Sequence, residues 1–261
     1  MVRSRTKLGK EWIEKADKCK IIEMVGVGLD NIDENAEKEK NIKVINAVEG
    51  AMNAVAELVI GLMLSMAREI PRADREVRNG NWIKKELMGR ELSGKYLGIV
   101  GLGNIGKKLA RHAKSLNMNI IGYDVVPIDE EFSKEVGLMK ADLDTLLSRS
   151  DYVSLHVPLL ESTHHMINNE KLKLMKKTAC IINTARGGVI DEDALYNSLK
   201  EGNLANAALD VFEAEPATGN KLTTLPNFIA TPHIGAQTKE AQSLAANIIA
   251  EKIIQILRGI I

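Results

Sequence analysis

The chain has 261 residues, 45% of them hydrophobic and 27% charged, enough apolar content to bury one large core or two smaller ones. Lysine plus arginine and aspartate plus glutamate each number 35, which leaves no global basic field for a nucleic-acid backbone or an acidic membrane and favours a small-molecule ligand. Cys19 and Cys180 stand far apart with no zinc spacing around either, so they read as structural thiols of a reducing compartment, and no metal is expected.

The first residues, Met1 to Lys7, carry charges with no apolar signal-peptide core behind them. Residues 1–46 hold the strand-like run Ile21–Val25, a turn through Gly26 and Gly28, a charged helix-like stretch, and the run Ile42–Ile45. That is half of an α/β unit. A helical pattern from about Ala54 to Arg68 follows and leads into Pro71, Gly80 and Gly89, the expected connector between two domains. Its uncharged run, Leu58 to Ala67, is shorter than the ~20 residues of a membrane span, so a cytoplasmic chain is expected.

Beyond it, apolar runs at Leu97–Val100, Ile120–Tyr123, Tyr152–Val157, Ala179–Ile182, Ala205–Leu209 and Phe228–Ala230 alternate with helix-like segments at Asp142–Leu147, Asn169–Met175 and Glu192–Lys200. Nearly continuous apolar strands joined through helices predict a doubly wound parallel sheet of Rossmann type. Asp191 is the expected N-cap of one helix and Gly202 its stop, and a closing helix is expected from Gln237 to Leu257.

The turn Gly101-Leu102-Gly103-Asn104-Ile105-Gly106 directly follows the first of these runs and opens an amphipathic segment with Ile105, Leu109, Ala113 and Leu116 at helical spacing. Gly101 allows the turn, Gly103 lets the backbone approach a pyrophosphate, and Gly106 lets the helix pack on the strand. Asp124 ends the next strand near the ~20-residue spacing of a carboxylate that accepts from the adenosine ribose hydroxyls. The expected cofactor is NAD, because a 2′-phosphate would meet like charge at Asp124. Three later strand ends are polar. Arg186 follows the run ending at Ile182, carboxylates from Asp210 to Glu215 follow Leu209, and His233 follows Ala230.

The glycine turn, Asp124, His156-Val157-Pro158, Asn183 to Gly188, Asp210 to Pro216 and Thr231 to Ala236 together resemble the D-isomer-specific 2-hydroxyacid dehydrogenases over essentially the whole chain. Arg3-Ser4, Gly28 to Asp33 and Trp82 to Gly89 bring it nearest the phosphoglycerate-oxidising branch. The resemblance implies a catalytic group of Arg186, Glu215 and His233. His233 would take the substrate hydroxyl proton, Glu215 would orient its ring and favour the imidazolium, and Arg186 would grip the carboxylate and polarise the carbonyl. It also implies backbone contacts to pyrophosphate from Asn104 and Ile105, and places Thr184, Ala185 and Arg186 beside the cofactor. Asp210 would meet the nicotinamide carboxamide, with His233, Gly235 and Ala236 bordering the ring. Arg3, Ser4, Lys84 and Lys85 would bind substrate, the two lysines from a neighbouring subunit of a homodimer or higher homo-oligomer. His156 reads as a structural residue near the adenine, and His112, His164 and His165 as surface residues.

Departures bear on the substrate. Phosphoglycerate-oxidising members commonly carry arginine where Met24 and Asn104 stand, and an asparagine-serine pair where Ala51-Met52 stand. Members also have elements before the segment matching Arg3-Ser4, so the smaller, flavodoxin-like substrate domain is expected to be N-terminally incomplete. The expected division is 48–236 for the NAD domain, with 1–47 and 237–261 as the partial substrate domain. Oxidation of 3-phosphoglycerate to 3-phosphohydroxypyruvate, at the start of serine biosynthesis, is the expected activity. Alternatives are a reductase of glyoxylate, hydroxypyruvate or another 2-keto acid, an NAD-sensing binding protein, and an inactive NAD-binding fragment.

Overall fold

A computed structural model describes residue 2 and residues 6–24 and 32–258; Arg3, Ser4 and the turn through Gly26 and Gly28 lie outside the described residues. The chain divides into two compact units, one of residues 1–54 with 235–261 and the other of residues 55–234.

The first unit contains α1 (Lys10–Glu14), β1 (Ile21–Met24), α2 (Glu34–Glu39) and β2 (Lys43–Asn46). The two strands pair in parallel, Ile21 opposite Lys43 through Met24 opposite Asn46. Asp33 starts α2 by accepting from the N–H groups of Asn35 and Ala36, two of the donors that a helix start leaves unpaired. Ile13, Ile22, Met24, Ile32, Ala36 and Ile42 form the core of this unit.

Next comes α3 (Val48–Ala67), which begins earlier than the pattern from Ala54 suggests. Its extra turn packs by small residues, since a Cβ on Gly50 would sit 3.0 Å from that of Ala245. At full length α3 would reach across a membrane by length and composition alone, and 56% of its apolar window is buried inside the fold. Val59, Leu62, Met63 and Met66 recur at helical spacing and enter the core of the second unit. Beyond α3 the chain meets Pro71. It occupies the first turn of α4 (Ile70–Arg78), where its missing N–H is one the helix would leave unpaired anyway.

The second unit carries β3 (Tyr96–Val100), α5 (Asn104–Ser115), β4 (Asn119–Tyr123), α6 (Glu130–Val136), β5 (Leu138–Lys140), α7 (Leu143–Arg149), β6 (Tyr152–Leu155), α8 (Asn169–Leu174), β7 (Cys180–Asn183), α9 (Glu192–Lys200), β8 (Asn206–Leu209) and β9 (Phe228–Ala230). Asp129, Asp142, Asn168 and Asp191 cap the starts of α6 to α9 through their side chains. Gly202, at φ 71°, follows the end of α9. In the first unit, α10 (Lys239–Leu257) closes the chain, capped by Thr238, and lays Ala245 and Ile249 against Ala47.

All seven strands of the second unit are parallel, in the order β5-β4-β3-β6-β7-β8-β9. Two hydrophobic clusters are built on this sheet. One joins Ile99, Ile120 and Ile182 to α3 and α5, the other joins Val100, Val153 and Ile181 to α7, α8 and α9. Each fully buried aliphatic side chain contributes about 1.5–3 kcal/mol of transfer free energy.

Within this core, burial pushes the Cys180 thiol up to about 11, with weaker opposing effects from Asn206 and Arg90. Cys19 is only half-buried. A thiolate-selective reagent at pH 8 is therefore expected to titrate Cys19 quickly and Cys180 only after denaturation. Two fast thiols in the native protein would contradict this packing.

Candidate active site

Because every ladder is parallel, the carboxyl ends of all seven strands lie on one edge of the sheet. From β3 the chain builds outward through β4 and β5, then returns to place β6 on the other side of β3. The connections leaving β3 and β6 diverge there, and this reversal opens the crevice in which doubly wound sheets bind ligands. The glycine turn sits at this point.

Gly101 has φ 93°, and a Cβ on it would lie 2.6 Å from the carbonyl oxygen of His156 at the end of β6. A Cβ on Gly106 would come within 2.1 Å of the Gly101 carbonyl oxygen. Around Gly103 there is open space, with nothing within 4 Å of where a Cβ would be. Gly103 is also the N-cap of α5 and no side chain caps that helix, so its first-turn amides face the opening. Asp124, just past β4, accepts from Leu102 N–H at 2.6 Å through Oδ2 and from Val126 N–H at 2.9 Å through Oδ1. Those two bonds fix the carboxylate and leave about half of its accepting positions.

Three adjacent strand ends lie in one row, since Asn183 is opposite Leu209 and Leu209 opposite Ala230. Arg186 and His233 each stand three residues beyond the row, on strands two steps apart, about 10 Å at the usual strand spacing. Asn183 shapes the first loop, its Nδ2 donating to Arg186 O at 2.8 Å and its Oδ1 accepting from Ala185 N–H at 3.0 Å. Arg186 itself is half-buried, with Nη1 donating to Ala185 O at 2.6 Å. Beside it Thr184 is buried, and its Oγ1 has no hydrogen-bond partner.

Asp210, only 1% exposed, turns Oδ1 onto the loop after β9, where Thr231 Oγ1 donates at 2.6 Å and Ile234 N–H at 2.8 Å. Between these two anchors His233 adopts φ 56°. Its Nδ1 lies 2.9 Å from Glu215 Oε2, both side chains being 38% exposed. Glu215 Oε1 accepts from Phe212 N–H at 3.2 Å. A carboxylate can only accept, so Nδ1 carries the hydrogen and Nε2 of the neutral ring keeps its lone pair.

Lys84 and Lys85 are exposed on a short 3-10 turn of this unit. Gly235 and Ala236 belong to the first unit, where Ala236 O accepts from Gln242 Nε2 at 3.0 Å. His112 is half-buried on α5 and His164 is exposed. His165, its side chain 34% exposed, is paired with Glu213 at 2.9 Å. Local sequence could not show that contact between separate loops. Two further contributors also escape the pattern: Thr231, whose hydroxyl bonds Asp210, and Gly187, where a Cβ would meet Phe212 O at 1.9 Å. The pair Gly187-Gly188 was the available signal for that close approach.

Residues 60–235 match the family described as D-isomer specific 2-hydroxyacid dehydrogenase, NAD binding domain. The chain is similar to D-3-phosphoglycerate dehydrogenase of Methanocaldococcus jannaschii, 51% identical over 99% of this chain and 49% of that protein. It is 49% identical to hydroxypyruvate reductase of Thermotoga maritima, over 97% of this chain and 82% of that one. Among solved structures, D-lactate dehydrogenase from Aquifex aeolicus, complexed with NAD and lactic acid, superposes with a TM-score of 0.89 at 34% identity. That match covers 99% of this chain and 82% of the other. The chain spans about half the length of the phosphoglycerate dehydrogenases it matches.

His156 gives a test of the β3–β6 edge. Burial pushes its imidazole from the ordinary 6.5 down to about 4, and Nε2 lies 2.8 Å from Ser154 Oγ. The unfolded chain therefore takes up a proton that the folded chain refuses between pH 6.5 and about 4, so stability is lost as pH falls through that window. Urea midpoints measured across it should fall less steeply for His156→Asn than for the unmodified chain. Parallel slopes would remove His156 from that account.

Proposed function

Since the chain belongs to the D-isomer-specific 2-hydroxyacid dehydrogenase family, we propose that it is an NAD-dependent dehydrogenase that interconverts a D-2-hydroxy acid and its 2-keto acid. The observation that carries this reading is the His233–Glu215 contact at 2.9 Å on the strand-end edge that also bears the glycine turn.

The residues present fit a dinucleotide. Open space at Gly103 and the uncapped start of α5 suit a pyrophosphate held by the backbone of Asn104, Ile105 and Gly106. Asp124 retains lone pairs for ribose hydroxyls and repels a 2′-phosphate. The orphaned Thr184 hydroxyl, beside Ala185 and Arg186, needs a partner that a bound molecule would supply. Asp210 lies at the same edge, below the loop of His233. NAD, when bound, supplies the hydride acceptor.

The remaining steps fall to side chains. Glu215 holds Nδ1–H of His233, so Nε2 is the nitrogen free to take the substrate hydroxyl proton and to return it in the reducing direction. Arg186, half-buried in the loop after β7, pairs with the substrate carboxylate and stabilises charge on the carbonyl oxygen.

For the substrate, the reading favours 3-phosphoglycerate, oxidised to 3-phosphohydroxypyruvate as a first step toward serine. Its support is the similarity to phosphoglycerate dehydrogenases and the exposed cations Lys84 and Lys85; the expected substrate residues Arg3 and Ser4 lie outside the described residues. A second reading, a hydroxypyruvate or glyoxylate reductase, is favoured by Met24 and Ala51, both buried and unable to meet a phosphate. Exposed Trp82 and Met88 support a homo-oligomer, and the free cysteines suit a cytoplasmic compartment.

Steady-state rates with NADH across phosphohydroxypyruvate, hydroxypyruvate, glyoxylate and pyruvate test the substrate. A preference of the first by roughly 10-fold or more in kcat/KM, about 1.4 kcal/mol, fits the phosphate reading, and a preference for an unphosphorylated acid selects the second. NAD binding by calorimetry without turnover on any of them would point to a binding protein or inactive fragment. His233→Ala should lower kcat by about 100-fold or more while leaving NAD affinity nearly unchanged; a retained rate would remove it from proton transfer. For Asp124→Ala the expected result is a narrower preference for NAD over NADP, and an unchanged ratio would refute the ribose assignment.

A further inference from the structure

His164 and His165 stand in the turn between β6 and α8, outside every role given above. Their rings stack, with centroids 4.0 Å apart and planes 24° from parallel. His165 holds φ at 49°, a region uncommon for residues other than glycine. This one residue reaches two different loops. Its N–H donates to Gly188 O at 2.7 Å, two residues past Arg186. Its ring Nε2 lies 2.9 Å from Glu213 Oε1, two residues before Glu215. The carboxylate accepts, so that nitrogen carries the hydrogen.

Glu213 is held from other sides as well. Its Oε1 accepts from Glu192 N–H at 3.3 Å, and its own N–H donates to Glu192 Oε1 at 2.7 Å. Glu192 Oε2 in turn accepts from Asn220 Nδ2 at 2.6 Å. Both carboxylates sit at the start of α9, where the helix dipole favours negative charge. On the opposite side, the Phe212–Glu213 backbone touches Gly187 so closely that a Cβ there would lie 2.6 Å from Glu213 N. The segments bearing Arg186 and Glu215 thus meet at Gly187 and are tied together by His165.

We propose that His165 and Glu213 are positioning residues that clamp the Arg186 segment against the Glu215 segment and so fix the guanidinium relative to the His233–Glu215 pair. The inference rests on the dehydrogenase reading. A half-exposed side-chain contact of this kind contributes little to global stability, so removing it loosens a loop and leaves the fold in place. Small displacements of reacting groups are expensive in rate.

The test compares His165→Ala, Glu213→Ala and Glu213→Gln. Both alanine variants are expected to lose about 10-fold or more in kcat, with KM for NAD and Tm unchanged. Glu213→Gln keeps an accepting oxygen and should recover most of the rate. Amide hydrogen exchange of residues 186–188 and 211–216 should quicken in Glu213→Ala and stay slow in Glu213→Gln. An unchanged kcat, unchanged exchange, or a fall in Tm that Glu213→Gln does not reverse overturns the clamp. If the unmodified chain turns over no 2-hydroxy or 2-keto acid, the dehydrogenase reading fails by itself, and the exchange rates still decide whether the clamp holds.

Discussion

Parallel pairing of the seven strands is the constraint from which the candidate site follows. Every carboxyl end falls on one edge, so each loop leaving the sheet there competes for the same space. Register then aligns Asn183, Leu209 and Ala230, and a residue's distance beyond the row becomes its position in the site. An antiparallel strand inserted among β7, β8 and β9 would send one of the three loops to the far edge. The sequence meets this constraint with nearly continuous apolar strands, since helices cover both faces and leave no face for water.

Close approach of backbones is the second requirement, and it falls on few positions. Gly101 and Gly106 let β3, α5 and the end of β6 come together, and Gly187 does the same between the loops after β7 and β8. The contacts are with main-chain atoms, which cannot rotate aside as a side chain could. Asp210 completes the arrangement from below. Buried itself, it satisfies one hydroxyl and one amide of the loop after β9, and these bonds hold His233 in its left-handed conformation.

Much of the fold was legible because its signals are local. Apolar runs, side-chain caps such as Asp191 and the glycine turn each depend on residues near one another in the chain, and β9 and α9 match their expected limits. β5 and α6 were less visible. The strand is three residues at an edge with Met139 and Lys140 exposed, and the helix is two turns long. α3 was read short because Glu49, Gly50 and Asn53 interrupt its apolar pattern ahead of Ala54, although burial of Ala51 and Ala54 in the fold extends the helix back to Val48. In the site, residue types at strand ends could be named from sequence, but the contact of Glu215 with His233 was reachable only through resemblance. Contacts between loops, such as Thr231 with Asp210 or His165 with Glu213, leave no periodic trace.

The anchoring of the loop after β9 also bears on how such a chain can diverge. Asp210 grips position 234 through its amide and position 231 through its hydroxyl, while the side chains of Pro232 and Ile234 stay outside the bonded frame and exposed. Selection can therefore rewrite the surface beside the histidine without moving the histidine. Side chains at that periphery can thus diverge among descendants of one ancestor, the anchored frame inherited unaltered.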